Sequence, residues 1–395
     1  MKIALLGKYF GWGGGAEFLR YVASGLLTQQ QEHDLSLYLL LPMHRLDIVR
    51  VIKRSVLETV NRKRPSLVLS KPDFYAPFLD YFEPFAGRVE IVYYCNTECD
   101  LRRCLKRIGA DIALPVHGSL GPDFPIPWIG YAMDFQHRYY PENFTTRECF
   151  NRDIHFATLL RDSTTVIVNA RAVKKDIYRF YPYVSAAVYA LPFAPVPSDG
   201  WFEAHDDVRR KYGLPDRYFL ISNQFWVHKD HLTAFRALLT ARNSNIVCTG
   251  EMIDYNHPGH VDELRTFILN NGLEGRVTLL GHIPKRDQIE IMKQSRAVIQ
   301  PSLFEGGPGG GCVFDAAALG VPVILSDIDI NREVEIDNAF FFEAGNGEAL
   351  AEQMMHFSER EIERVSNEVL LSYGQKQAVR LGESLMAAIS HTMQQ

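Results

Sequence analysis

The 395-residue sequence predicts an α/β protein of two domains, each a parallel sheet assembled from strand–loop–helix units. Three observations predict it. The segment AVIQPSLFEGGPGGGCVFDAAALGVPVILSDIDINREV, residues 297–334, reads as strand, glycine-rich loop, helix, strand. A second glycine-opened helix, GWGGGAEFLRYVASGLL at 11–27, follows the first apolar run, KIALLG at 2–7. Between the long periodic regions lies one Pro/Gly/Ser-rich break, FAPVPSDG at 193–200, which sets the domain boundary at 195/196.

Composition narrows the class. Hydrophobic residues make up 47% and charged residues 23%, as in ordinary soluble proteins. No run of 18 apolar residues occurs, so no membrane-spanning helix is expected. MKIALLGKYFG at the N-terminus is too soon broken by glycine for a signal peptide and reads as a buried strand. The six cysteines lack paired zinc spacing, which favours a reduced, cytoplasmic chain. Net charge is −5 but unevenly placed. Residues 1–195 hold 24 Lys and Arg against 19 Asp and Glu, and the remainder 18 against 28. Such a split suits a first half that meets something anionic. Nothing points to nucleic acid.

The loop at 306–311 carries readable chemistry. A helix that starts directly after glycines presents unpaired amides and the positive end of its dipole, a place for a phosphate. Two carboxylates flank it, Glu305 before and Asp315 one turn into the helix. Beside an anion site they make most sense gripping sugar hydroxyls. The segment therefore suggests a ligand with both diphosphate and hydroxyls. A tight structural turn with two solvated acids is the plainer alternative.

In chain order, a strand at 35–41 precedes the helical, basic stretch HRLDIVRVIKRSVLETVNRKRP at 44–65, with Arg45, Arg50, Lys53, Arg54, Arg62, Lys63 and Arg64. Two readings stand for it: a solvated face, or a surface that meets anionic lipid. Four more basic residues follow within LRRCLKRIGADIALPV at 101–116. A strand at 166–170 leads into another basic helix. After the break, a strand at 218–222 is followed by NQFWVHKDH at 223–231, which puts Lys229 near a helix start. Strand, loop and helix recur in NIVCTG at 245–250 and RVTLLGHIPKRDQIEIMKQS at 276–295. Residues from 350 on are helical.

The stretch PSLFEGG…VFDAAALGVPVILSDIDINREV resembles the donor-site signature of family 4 retaining glycosyltransferases of the GT-B fold. This chain departs from the signature twice. Nine residues separate its acids where the family has seven, and the second acid is Asp315 where the family usually has Glu. The resemblance implies two Rossmann-like domains facing across a deep cleft: an acceptor domain at 1–195, onto which residues 374–395 cross back, and a nucleotide-sugar domain at 196–373. It also implies roles. Gly14 and Gly15 of the GGAE stretch would approach the donor diphosphate across the cleft. Lys229 would bind that diphosphate, beside Gln224 at a position where the family carries arginine. The backbone at His282 and Ile283 would face the base. Glu305 would hold the sugar, Asp315 the ribose, and the amides of Gly307, Gly309, Gly310 and Gly311 would help neutralise the leaving group. Asp134, Gln136, His137, Pro141 and Glu142 match a D-x-Q-H-x-x-x-P-E pattern at the family's cleft edge. There His137 would orient an acceptor or touch the sugar, unless it is a satisfied loop histidine.

The expected activity is hexosyl transfer, with retention, from a nucleoside-diphosphate sugar to a hydroxyl of a glycan or lipid-linked acceptor, in cell-surface polysaccharide synthesis. No cofactor and no metal is expected. Asp327-Ile328-Asp329 is read as a strand-end loop, not a metal-binding D-x-D. The expected place is the cytoplasm, with attachment to the inner membrane face. A GT-B nucleotide-sugar epimerase and a non-catalytic glycan- or nucleotide-binding protein of the same fold are the alternatives.

Overall fold

The computed structural model describes residues 1–10, 13–43, 79, 81–203, 207–359 and 365–395. The basic stretch 44–65 and Gly11 lie outside the described residues.

Thirteen strands among these residues form two parallel sheets. The first holds β1 (Lys2–Leu6), β2 (Ser36–Met43), β3 (Val89–Cys95), β4 (Ile112–Val116), β5 (Trp128–Tyr131), β6 (Thr165–Val168) and β7 (Ala187–Ala190), in the order β3-β2-β1-β4-β5-β6-β7. The second holds β8 (Phe219–Ser222), β9 (Ile246–Thr249), β10 (Val277–Gly281), β11 (Val298–Gln300), β12 (Val323–Ser326) and β13 (Ala339–Phe342), in the order β10-β9-β8-β11-β12-β13. The central strands are buried along their whole length because helices cover both faces, which is why they read as continuous apolar runs. Each sheet buries two apolar clusters, one on either side.

Strand order reverses between β1 and β4 in the first sheet and between β8 and β11 in the second. Such a switch point opens a crevice beyond the carboxyl ends of the strands. The two glycine-opened helices, Gly13–Thr28 after β1 and Gly310–Ala318 after β11, start at these crevices. Lys229 follows β8, the neighbour of β11, so the topology places it opposite the glycine loop. The chain enters the second helix at Gly310, two residues before its apolar pattern begins, because Gly309 and Gly310 both take left-handed backbone angles.

One helix, Asn367–Met393, joins the domains. Near its start Leu370 meets Gly320 of the second domain. Further on, Leu381, Leu385, Met386, Ala388 and Ile389 enter the core of the first. It packs on helix Gly13–Thr28 through glycines. A Cβ on Gly382 would lie 2.3 Å from the Gly25 carbonyl oxygen, so neither position accepts a side chain without parting the helices. No helix among the described residues is long and apolar enough to cross a membrane.

Candidate active site

A cleft of about 600 Å³ runs between the domains and is lined from both. The glycine loop forms its floor. Asn331, fully buried, pins that loop: its Oδ1 accepts from the Gly309 amide at 3.0 Å and its Nδ2 donates to the Ser326 carbonyl at 3.0 Å. Gly307, Gly310 and Gly311 face the cleft. Gly309 departs from the expectation. Its amide is spent on Asn331, and a Cβ there would lie 2.6 Å from Val313, so its glycine serves the turn and not a ligand.

Glu305 is 6% exposed and sits beside this helix start. Its Oε1 accepts from Lys229 Nζ at 2.6 Å and from Gln300 Nε2 at 2.5 Å. Gln300 is in turn fixed by Asn223, whose Nδ2 donates to Gln300 Oε1 at 2.6 Å. A polar chain thus crosses from the end of β8 to the end of β11 and sets both Lys229 and Glu305. Gln224, His282 and Ile283 line the same cleft. Gly250 lets the backbones meet there, since a Cβ on it would fall 1.9 Å from the Asn223 carbonyl oxygen.

One turn into helix Gly310–Ala318, Asp315 is 1% exposed and its Oδ2 accepts from Lys285 Nζ at 2.5 Å. Burial raises the Asp315 pKa and the Glu17 charge adds to this, against the pull of Lys285. Burial alone would lower the Lys285 pKa, but Asp315 and Glu17 outweigh it and hold the ammonium well above its ordinary value. Glu17 itself stays below the usual carboxylate range. Arg20 and Lys285 overcome its burial, and Arg20 Nη2 donates to Glu17 Oε1 at 2.7 Å.

The first domain supplies the opposite wall. Gly14 and Gly15 line it, and Gly15 passes so close to Phe10 that a Cβ would lie 2.8 Å from its Cα. Asp134 also faces the cleft, with its Oδ1 taking a hydrogen bond from Arg152 Nη2 at 2.7 Å. Gly306 rests on this wall. A Cβ there would lie 3.1 Å from the Met133 carbonyl oxygen and 3.2 Å from Asp134 Cβ. Asn169 donates across the cleft to the Gly306 carbonyl at 3.3 Å.

His137 does not line the cleft, which corrects the role the resemblance gave it. Its side chain is fully buried, Nδ1 accepts from Arg152 Nε at 3.2 Å, and Nε2 donates to Asp153 Oδ1 at 2.9 Å. A guanidinium can only donate, so the ring proton sits on Nε2 and neither nitrogen is left for a substrate. Burial lowers the His137 pKa. The histidine steadies Arg152, which steadies Asp134. Asp327 accepts from the Ala344 amide at 3.0 Å and lies 3.6 Å from Arg332, so its carboxylate is engaged in the strand-end loop. Among the described residues no three His, Cys, Asp or Glu gather as a metal site.

Sequence reasoning did not single out Glu17, Tyr21, Lys285, Gln300, Asn223 or Asn169, all of which line the cleft or hold what does. The signals were slight: a Glu and a Tyr four apart on the glycine-opened helix, and one glutamine closing an apolar strand.

Two parallel-sheet domains with a site between their switch points make the GT-B glycosyltransferase architecture. Residues 207–375 match the family described as Glycosyl transferases group 1. Solved structures with the same fold include Anabaena HepE in complex with UDP and glucose (16% identity, 99% of each chain covered, TM-score 0.62). A sucrose-phosphate synthase from Thermosynechococcus elongatus (14% identity, 100% of this chain and 97% of that one, TM-score 0.56) is another. So is WaaG, a glycosyltransferase involved in lipopolysaccharide biosynthesis (12% identity, 98% of each chain, TM-score 0.53). No curated protein matches the sequence.

Proposed function

We propose that the protein is a retaining family 4 glycosyltransferase that moves a hexosyl unit from a nucleoside-diphosphate sugar to a hydroxyl of a glycan or lipid-linked acceptor. The observation that carries this reading is the Lys229–Glu305 pair, 2.6 Å apart, beside a glycine-opened helix start on the floor of an interdomain cleft. A cation and unpaired amides suit a departing diphosphate; a buried carboxylate next to them suits sugar hydroxyls. Solved structures of this fold that hold UDP, UDP-glucose or UDP and glucose support UDP as the carrier.

In this mechanism the diphosphate lies between Lys229 and the free first-turn amides of helix Gly310–Ala318 that follow Gly310, whose own amide donates to the Gly307 carbonyl at 3.2 Å, with Gly14 and Gly15 approaching from above. As the bond to the anomeric carbon breaks, the leaving group gains charge, and fixed cations and dipoles stabilise it without reorganising. Lys229 exchanges part of its contact with Glu305 for phosphate oxygen. Glu305, still held by Gln300, keeps a free oxygen for the sugar. Gln224 supplies a neutral hydrogen bond. Asp315 takes the ribose. No protein nucleophile and no metal are needed, so activity should survive chelation by EDTA. The acceptor approaches along the Asp134 side of the first domain, and its membrane context would come through the basic stretch 44–65.

The test is incubation with radiolabelled UDP-hexose and a membrane extract. Label in glycan or lipid-linked product is the expected result. A new nucleotide sugar without transfer would indicate an epimerase. No turnover, with nucleotide binding intact, would indicate a binding protein.

A further inference from the structure

The turn Asn331–Glu333 that follows β12 faces two ways. Asn331 clasps the glycine loop through the Gly309 amide. Two residues on, Glu333 reaches into the other domain. Its carboxylate accepts from the backbone amides of Arg171 at 2.8 Å and Ala172 at 2.6 Å, at the start of helix Arg171–Phe180 in the first domain. That helix has Ala170 at its cap position, and alanine offers no oxygen to the first amides. A cap is ordinarily the residue next to the helix; here it comes from 162 residues along the chain. Both carboxylate oxygens are used, on charge-assisted bonds at the positive end of the helix dipole.

Neighbouring charges reinforce the contact. Arg171 Nε lies 3.3 Å from Glu333, and Glu335 bridges Arg171 Nη2 at 3.1 Å and Arg380 Nη2 at 2.9 Å. Arg380 stands on helix Asn367–Met393, which joins the domains. These side chains line a cavity of about 270 Å³ together with Leu191, Pro192 and Phe193, where the chain leaves the first domain. The contact therefore sits at the hinge. Two short hydrogen bonds to one carboxylate tolerate little displacement, so the cap forms only near one hinge angle. Asn169, two residues before Arg171, donates to the Gly306 carbonyl. The glycine loop is thus tied twice to one short stretch of the first domain: Gly306 through Asn169, and Gly309 through Asn331 and Glu333.

We infer that Glu333 is a positioning residue for the transfer reaction. By capping a helix of the first domain it fixes the hinge angle at which the glycine loop faces Gly14, Gly15 and Asp134. It does so without lining the cleft itself. This inference rests on the transferase reading of the cleft.

The full chain and Glu333→Gln are compared in three ways: kinetics with radiolabelled UDP-hexose and a membrane extract, calorimetric titration with UDP, and hydrogen exchange. Glutamine keeps the size of the side chain but offers one acceptor oxygen to two amides. The amides of Arg171 and Ala172 should exchange faster in the variant. Its kcat should fall about ten-fold or more, because the two walls of the cleft no longer meet in register. Its UDP affinity should stay within about three-fold of wild type, since Lys229 and the loop amides belong to one domain. A cap that serves only its helix would lower the melting temperature and leave kcat alone. If Glu333→Gln does not fold, Glu335→Gln decides, with an expected loss in kcat of about three-fold at unchanged UDP affinity. A folded variant with the wild-type kcat, one that loses UDP affinity and kcat alike, or unchanged exchange at 171 and 172 overturns the inference and leaves the transferase reading standing. A wild type that binds none of UDP, GDP and ADP and transfers no label overturns both.

Discussion

Glu305 and Asp315 are both buried and both paired with a lysine, but their surroundings differ. Glu305 is tied to Lys229 and Gln300 at the helix start, and Asp315 lies a turn deeper against Lys285. The two should therefore fail differently. Asp315→Asn should weaken binding of free UDP by roughly ten-fold, the scale of one charge-assisted hydrogen bond. Glu305→Gln should leave UDP affinity nearly intact and depress kcat with UDP-hexose. Equal loss of UDP affinity in both would show that the sugar and ribose roles are misassigned across the lengthened loop. Glu305, Asp315 and Lys229 were legible in the sequence because each stands within a few residues of the strand end or glycine turn that positions it. Glu17 and Lys285 were not, because their meaning comes from each other, across two domains and more than two hundred residues. His137 was misread for the same reason. Its motif names the residue, but Arg152 and Asp153, which consume its nitrogens, arrive only when the next helix folds back.

At the scale of the element, the glycine loop holds its shape through two features. Gly309 has φ +66° with Val313 where a Cβ would go, and Asn331 clasps its amide. Asn331→Ala would leave the Gly309 amide and the Ser326 carbonyl buried without their partner, at a cost of about 1–3 kcal/mol. Denaturant unfolding should show that loss, with UDP affinity falling as the loop loosens. Stability equal to wild type would mean the clasp is incidental. Strand and helix types were readable here from apolar period and glycine punctuation. The helix start was not, since two consecutive left-handed glycines carry the chain into the helix before its apolar face begins. The start of helix Thr146–Asp162 is legible in its Thr145–Glu148 capping box, a Thr-x-x-Glu signature.

At the scale of the whole molecule, the two parallel sheets followed from the strand–loop–helix rhythm. The exact meeting of Gly25 with Gly382 did not, because close helix packing depends on partners far apart in sequence. His231 is fully buried within this frame and His228 and His117 are half-buried, and together they set its pH range. Burial, the leading cause in each case, pushes His231 down to about 3, His228 to about 2 and His117 to about 4. These groups are neutral in the folded chain but take up protons near pH 6.5 when unfolded. Their stability contribution is thus fully present above that pH and is lost as the pH falls towards the folded values, by up to about 1.4 kcal/mol per unit for each group. The melting temperature should be level from pH 7 to 8 and drop steadily below 6.5. His231 stacks on Phe225 with ring centroids 4.2 Å apart, so His231→Phe should blunt the acid loss. An unchanged acid profile in that variant would shift the cause to the other histidines.

The central claim is that this cleft holds a nucleoside diphosphate between Lys229 and the glycine-opened helix. Calorimetric titration of UDP into wild type and into Lys229→Gln tests it most directly, because glutamine keeps a hydrogen bond to Glu305 and removes only the charge. Loss of a charge-assisted phosphate contact is worth about 1.5–3 kcal/mol, so the variant, folded and with Glu305 still satisfied, should bind UDP roughly ten- to a hundred-fold more weakly. Equal affinity in the two proteins would place the phosphates elsewhere and contradict the account.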